Sequence, residues 1–477
     1  MPFIFDPGIT HFEVQPFIFF ITGTLLGVLF LGEFHRLSTR NKQENTHRVH
    51  AERRTRYSKA VEHLAYPNPA VRARAISTLA GLVDEWLADE QLSVEARQKE
   101  GQVVVNALCA YVRSPFARAF KAEAFESDTP PANYAGDFAT DLAAFRGEQD
   151  VRRSVFVEMS KRSSTLTENE KGEVAVVPGA WSGFEFDFSR AVVFYPLDGL
   201  TIENADFSAA RFCNGSDFSG AAFVGDANFT RAVFDQDARF SDVTFMGAAD
   251  FSNTRFAGDA FFRWVAFSSN ADFREASFRG RADFRDTTFV ADAGFSGASF
   301  EGNAGFFRSS FGGNASFFRT DFAGVAEFRE AVFEGHAGFN AATFYGDAHF
   351  SRATFEGLAG FRDVTFKAGA EFYGASFVQT ADFCDSSFVK SPPLFVVEDA
   401  DSGEMRRARF AALPTGSEAA GQTAHNFAVY EGSQPIPLGT VGLNGVGYRI
   451  PVGTVLFDPN SWDERQKEYT RLSEPAQ

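Results

Sequence analysis

Phenylalanine recurs through the middle of the chain at a fixed spacing. The series Phe207, Phe212, Phe218, Phe223 alternates steps of five and six residues and continues without a slip to Phe388. The two steps together give an eleven-residue period, and 17 such units fit between 205 and 388. The 59 Phe of the chain, against 10 Tyr and 4 Trp, reflect this repeat. An internal repeat of fixed period predicts stacked units that share one continuous core.

Each half of a unit reads as a small residue, any residue, and Phe. Ala stands two places before the first Phe from Ala205 to Ala381, with Ser216 as the exception, and Ala, Val, Thr or Ser precedes the second Phe in the same way. Side chains two apart on an extended strand share a face, so both point inward. Gly often follows the second Phe by two places, as at Gly225 and Gly247, and is expected to permit a turn there.

The stretches ADFSAARF, GDANFTRAVF and GRADFRDTTF resemble the pentapeptide repeats that have Phe at the central position, over about 40% of the chain. The resemblance implies a mainly β fold, a right-handed β-helix or solenoid in which four pentapeptides form one coil. Four half-units would then make a twenty-two-residue coil. The extra residue in every second pentapeptide leaves a flattened, eleven-residue coil as the alternative. With coils ~4.8 Å apart, the rod would be roughly 40 Å or roughly 80 Å long.

An apolar segment near the N-terminus is long enough to cross a bilayer. Residues 16–34, PFIFFITGTLLGVLFLGEF, contain one charge, Glu33, and predict a transmembrane helix. Asp6 and Glu13 precede it and no Lys or Arg does, unlike in a cleavable signal peptide. The basic residues that follow are Arg36, Arg40, Lys42, Arg48, Arg53, Arg54, Arg56 and Lys59.

This basic flank sets the expected orientation. The positive-inside rule predicts a single-pass protein of the cell membrane, with residues 1–15 outside and the bulk of the chain in the cytoplasm. The family resemblance implies that the membrane is bacterial. The same charges could bind anionic lipid head groups, but a topology signal is the simpler interpretation.

The rest of the chain divides around the repeats. Residues 35–125 are interpreted as a basic juxtamembrane segment and a small α-helical bundle, and 126–179 as a linker with one helix near 141–159. Residues 180–204 are expected to form a first coil or cap at the N-terminal side of the repeat region, 205–390. Residues 391–477 are expected to form a C-terminal cap of short strands and a charged tail or final helix.

Two local signals support this division. Asn68 followed by Pro69 predicts an N-cap and first residue of a helix. The run GLNGVG at 442–447 lacks the setting of a phosphate-binding loop and predicts a turn. The bundle is interpreted as a spacer between membrane and solenoid, or as a docking surface.

Composition and the spacing of Cys and His argue against nucleic-acid binding, a disulfide framework and a metal site. A net charge of −17 disfavours nucleic-acid binding. Three cysteines, Cys109, Cys213 and Cys384, are too far apart for a disulfide framework or a CxxC metal pair. The separation of His336 and His349 is not a multiple of the period, so they do not stack as metal ligands. We therefore predict no catalytic residue, no cofactor and no metal site.

The function predicted from these features is that of a non-enzymatic, membrane-anchored scaffold whose protein partner is not named by the sequence. Some pentapeptide-repeat proteins mimic DNA toward type II topoisomerases, and this is the alternative. The repeats hold 24 acidic and 15 basic residues, so the basic rows offset much of that mimicry. An enzyme with its site in the C-terminal region is a third hypothesis. A homodimer through an open solenoid end is a further possibility.

Overall fold

The computed structural model covers most of the chain. Its described residues are 40, 42, 44–168, 174–213, 216–400, 403–413 and 425–477. The segment 16–34, predicted to span a membrane, lies outside them. Within the described ranges, no helix combines the length and the apolar character needed to cross a bilayer.

The repeats form a β-solenoid with four faces, each a parallel sheet of short strands. In each unit the first strand ends just before the first Phe, as in Ala249–Asp250, and the second ends on the second Phe, as in Arg255–Phe256. We number the faces in chain order. Face 1 runs from Phe186–Asp187 to Ala381–Asp382, face 2 from Val192–Val193 to Ser387–Phe388, face 3 from Ala238–Arg239 to Ala370–Glu371, and face 4 from Thr201–Ile202 to Ser376–Phe377.

The strand register decides the coil size. Ala249 pairs with Ala271 on face 1, and Phe256 pairs with Phe278 on face 2, so each partner lies two units further along the chain. Two units therefore close one coil, and the flattened coil made of a single unit is excluded. The first coil is shorter, because Phe186 pairs with Ala205. The handedness of the solenoid stays a prediction from the resemblance.

Phe side chains fill the interior as ladders. On one face the rings stack almost in parallel, as Phe251 does on Phe273 with centroids 4.9 Å apart and planes at 1°. Rings from facing sides meet edge to face, as Phe262 does with Phe273 at 5.5 Å and 87°. Edge-to-face contacts are a favourable geometry for aromatic quadrupoles. The buried Ala of each first strand leaves the space that these rings need.

Two kinds of corner join the strands. After the first Phe a turn places its third residue in the left-handed region, as in Phe207 to Ala210, where Ala209 has φ 53° and the Ala210 N–H donates to the Phe207 carbonyl at 3.0 Å. The corner after the second Phe differs. Gly247 there has no positive φ, but an added Cβ would lie 2.5 Å from the Gly225 carbonyl. Gly permits this corner because successive coils approach closely, and not because the backbone is left-handed.

In the described part of the chain, four helices precede the solenoid. Helix α1 includes 44–64, α2 is Pro69–Leu87, α3 Val94–Arg113 and α4 Phe138–Ser160, with a 3-10 segment at Ala117–Phe125. The predicted N-cap is confirmed, since the Asn68 side chain accepts the Ala70 N–H at 2.9 Å.

The helices cover the N-terminal end of the solenoid. Phe156 of α4 lies 4.6 Å from the ring of Phe188, and Phe145 lies 5.1 Å from that of Phe194. Gly101 of α3 faces Phe184, whose ring would lie 2.6 Å from a Cβ at that position. The helices and the first coil therefore share one hydrophobic core.

The described parts of the segment 126–179 contain more regular structure than the single helix expected there. They contain α4, which buries Phe145, Val155 and Phe156, and a hairpin in which Thr165–Glu168 pairs with Val174–Val177. Of the two alternatives for 180–204, a first coil or a cap, the first coil is present, formed by Phe186–Asp187, Val192–Val193 and Thr201–Ile202.

The C-terminal region closes the other end. Its strands are Val396–Glu398, Met405–Arg407, Arg409–Ala411, Leu438–Leu443, Val446–Pro451, Val455–Phe457, Trp462–Asp463 and Glu468–Tyr469. Arg409–Ala411 and Val455–Phe457 extend face 4.

Three phenylalanines outside the period add a last rung to the ladders. Phe395, Phe410 and Phe427 stack on Phe372, Phe377 and Phe383 at 5.3, 4.9 and 5.9 Å. The GLNGVG run forms a hairpin turn at Asn444 and Gly445, as predicted. The last residues form a hairpin from Trp462 to Tyr469, so the expectation of a final helix is wrong.

Candidate interaction surface

The His side chains of the repeats and the Cys side chains, which belong to residue types that can support catalysis, have structural partners or are buried. His336 accepts the Leu358 N–H at a corner with Nδ1, and the His349 ring lies 2.8 Å from Glu371. Burial raises the pKa of Cys109 and of Cys213 to about 12, which keeps both thiols protonated. Among the described residues, no group of three or more His, Cys, Asp or Glu side chains could hold a metal ion.

The acidic residues directly before a Phe hold the adjoining corner. Asp206 accepts the Ser208 N–H at 2.8 Å, and Asp250 accepts the Ser252 N–H at 2.8 Å. These are Asx turns, in which a carboxylate replaces a backbone acceptor. Part of the acidic row therefore stabilises the corners of the solenoid.

A second acidic row, which was not predicted from the sequence, bonds one coil to the next. Asp226 accepts the Ala248 N–H at 2.9 Å, and Asp259 accepts the Arg281 N–H at 2.8 Å. The sequence signal that could have predicted this row is an Asp or Asn directly after the glycine of the second corner. These bonds satisfy backbone donors that face no strand.

The Arg rows are paired with neighbouring carboxylates. Arg329 donates to Glu327 through Nε at 2.6 Å, and Arg362 donates to Asp382 at 3.1 Å. Arg308 and Arg352 lie on either side of Glu330 at 2.9 and 3.1 Å. The predicted salt-bridged surface is thus present on the rod. Such exposed pairs are each worth about 0 to 1 kcal/mol.

Face 3 contains one departure from this balance, around Asp283. The Asp283 side chain is fully buried, and Arg263 at 2.5 Å, Arg281 at 3.0 Å and Arg285 at 2.8 Å surround it. Burial alone would raise the pKa of Asp283, but the hydrogen bonds from Arg285 and Arg263 and the positive charges lower it. Three guanidinium groups thus share one carboxylate.

A depression of about 440 Å³ adjoins these arginines on face 3. The strand Ala304–Gly305 lines it, and Phe307 and Val325 contribute apolar surface. Its charged lining residues are Arg281, Arg285, Arg329 and Glu327. This is a concave, positively charged place on a chain whose net charge is −17. Local sequence patterns do not reveal it, because its members come from different coils.

Face 4, by contrast, is uncharged over the stretch from Ala222 to Val332. Thr288 and Val290 are exposed there, and the neighbouring corner residue Trp264 is 57% exposed. The outward positions of this stretch carry no charge: Ala222, Val224, Thr244, Met246, Ala266, Ser268, Thr288, Val290, Ser310, Gly312 and Val332. The rod therefore presents chemically different faces.

The helical unit contains a buried ion network beside a depression of about 570 Å³. Glu148 accepts from Arg72 at 2.8 Å and from Arg152 at 2.7 Å. Arg152 also donates to the carbonyls of Val112 and Ser114 at 2.6 and 2.8 Å. The network joins α2, α3 and α4 and explains these charges structurally.

The basic residues after the predicted membrane segment are partly used within the helices. Arg53 donates to Asp89 at 2.6 Å, and Arg56 pairs with Glu85. Arg54 lies 3.4 Å from Glu100. These three side chains are less available to lipid head groups than the sequence alone indicates.

Comparison with known proteins identifies the repeats. The family model for pentapeptide repeats (9 copies) matches residues 225–265, 240–288 and 317–365. No curated protein and no solved structure matches the chain. The matched residues lie within the four-faced solenoid and carry the Phe ladders. Residues 225–288 and 317–365 are therefore pentapeptide repeats, and over these residues the chain is similar to the pentapeptide-repeat family.

Proposed function

We propose that this protein is a non-enzymatic, membrane-anchored scaffold that binds a partner protein along its solenoid. One observation carries the proposal: the rod buries its Phe ladders completely and presents exposed, chemically distinct faces with a fixed repeat. Rigid, repeated surfaces of this kind suit extended protein interfaces. The anchor is the apolar segment 16–34, and the basic flank favours a cytoplasmic solenoid.

Cross-linking in intact membranes tests the proposal. The tagged full chain is cross-linked, solubilised and purified, and we expect a specific partner protein besides copies of the chain itself. Recovery of its own copies alone would contradict the scaffold role and favour a homodimer.

A variant without residues 1–39 tests the anchor separately. It leaves the described helices and solenoid unchanged in sequence, and we expect it to leave the membrane fraction. Retention of this variant in membranes washed with high salt would contradict anchoring through 16–34.

The alternative, mimicry of DNA toward a type II topoisomerase, is weakened by the roles of the acidic residues. Carboxylates such as Asp226 and Asp250 are engaged with backbone N–H groups, and Glu330 lies between two arginines. A supercoiling assay with the full chain distinguishes the two functions. Inhibition of gyrase at micromolar concentration would favour mimicry.

A further inference from the structure

One column of face 3 lacks a side chain at a single rung. Asp283, Gly305 and Glu327 follow one another in parallel register on successive coils. Asp283 is held by Arg263, Arg281 and Arg285, and Glu327 is held by Arg329. Gly305 therefore leaves an empty rung between two carboxylates that are each bound by arginine.

The arginines around this rung have donors left for another acceptor. A guanidinium group carries five N–H donors. Arg281 approaches Asp283 with Nη2 and Arg263 with Nε, while Arg329 uses Nε and Nη2 on Glu327. Because the depression is lined by three arginines and one glutamate, its lining residues have an excess of positive charge. A carboxylate placed over Gly305 would lie between the groups that bind Asp283 and Glu327.

The shape of the site favours a peptide over a small ion. The depression, at about 440 Å³, has room for several side chains, and Phe307 and Val325 add apolar contact surface. Arginine binds planar carboxylates through paired N–H donors. An extended acidic segment could place one carboxylate at the empty rung and pack an adjacent side chain on Phe307.

We propose that the depression over Gly305 binds an acidic peptide segment of the partner protein, with an Asp or Glu side chain filling the empty rung. This inference rests on the proposed scaffold function and specifies the chemistry of the partner.

The rung can be filled from within the chain. A Cβ built at Gly305 would lie 3.7 Å from Asp283 Oδ1 and 3.8 Å from Arg285 Cγ, which are ordinary contacts. Gly305→Asp therefore fits and should compete with a partner carboxylate. Gly338 on face 1 is the matched control, since its nearest atom would be the Ala315 carbonyl oxygen at 3.9 Å.

Peptide binding is measured by fluorescence anisotropy on the full chain in detergent. The probe is a short labelled peptide of alternating Glu and Ala, and a Gln and Ala peptide is its control. We expect saturable binding of the acidic probe at low ionic strength, weakened about tenfold by Gly305→Asp and by less than about twofold by Gly338→Asp. Arg329→Gln, at a half-exposed position, should also weaken it. Thermal unfolding of each variant checks the fold.

Three results would overturn the inference. They are absence of binding to the wild-type chain at about 1 mM probe, equal binding to the Gly305→Asp variant, and displacement of the probe by inorganic phosphate at an equal concentration. Cross-linking with the same variants separates this inference from the scaffold function. If Gly305→Asp still captures the membrane partner, the site is wrong and the function stands; if the wild-type chain captures none, the function itself fails.

Discussion

Left-handed backbone at the first corner of each unit is the clearest strain at the scale of single residues. Most of these positions carry residues other than Gly, including Asp242, Trp264 and Arg308, with φ between 56° and 59°. A left-handed residue with a Cβ is less stable by roughly 1 to 2 kcal/mol. The stacked coils on both sides fix the corner. Packing between coils therefore offsets this cost, and a glycine at the corner is not needed.

Substitutions at two equivalent corners should have opposite effects. Gly220 has φ 67° and no atom within 4 Å of an added Cβ, so Gly220→Ala should lower the free energy of unfolding by about 1 kcal/mol through backbone strain alone. Ala209→Gly, at φ 53°, should raise it by about 0.5 to 1 kcal/mol. Denaturant unfolding measures both. Equal signs for the two variants would contradict the strain account.

At the scale of elements, the spacing between coils limits the second corner. An added Cβ at Gly302 would lie 2.4 Å from the Gly280 carbonyl oxygen. Equivalent corners hold Gln236, Ser269 or Ala291, so the backbone can adjust locally. Glycine is therefore favoured here by the close packing of neighbouring coils, and the backbone conformation of a single unit would not require it.

Gly302→Ala should destabilise the solenoid by about 2 kcal/mol, because two backbones must move apart. Gly294→Ala is the control on a strand, where the nearest atom would be Asp272 Oδ1 at 3.5 Å. That change should be neutral or slightly stabilising. Thermal unfolding compares them, and similar destabilisation by both would argue against coil contact as the cause.

The C-terminal cap contains a histidine whose titration should couple cap stability to pH. His425 accepts the Ala381 N–H with Nδ1 and donates Nε2–H to the Ala411 carbonyl. Burial lowers its pKa from 6.5 to about 4. Between these values the unfolded chain binds a proton that the native chain does not, so stability falls as pH falls from about 6.5 to about 4.

The loss attributable to His425 should be on the order of 3 kcal/mol at the acidic end of this window. His425→Gln cannot titrate and should show a shallower decrease of melting temperature with falling pH, with His47→Gln, on an exposed residue, as the control. An unchanged pH profile in His425→Gln would show that other groups control the acid response.

At the scale of the whole molecule, both solenoid ends are covered by chain that has no repeat period. The helices place Phe156 against Phe188, and the C-terminal region adds Phe395, Phe410 and Phe427 as a last rung. Covered ends limit edge-to-edge association. A homodimer through a solenoid end would therefore use the outer surface of a cap.

Removal of the N-terminal contact should expose the end. Phe156→Ala should lower the free energy of unfolding by about 3 kcal/mol, because a buried ring is lost from the shared core. It should also promote self-association, measured by light scattering. Phe120→Ala, at a residue that is 59% exposed, is the control. A monodisperse Phe156→Ala variant of normal stability would contradict the role of α4 as a cap.

Local pattern determines which side chains face inward. The repeat period is read directly from the sequence, and the buried Phe and the buried Ala two places before it follow from strand alternation within a few residues. The corner at the Gly after the second Phe is local as well, whereas the left-handed corner after the first Phe was not predicted. The N-cap at Asn68 and the turn at Asn444 are local for the same reason. Apart from the left-handed corner, these features could be predicted from the sequence.

Contacts between distant residues decided the rest. Whether two or four half-units close a coil depends on pairing between successive coils, as between Ala249 and Ala271, and no single unit contains that information. The packing of α4 on the first coil and the last rung of the Phe ladders, which includes Phe410, depend on surfaces that meet only after folding. The same holds for the candidate site, because Asp283, Gly305 and Glu327 become neighbours only when the coils stack.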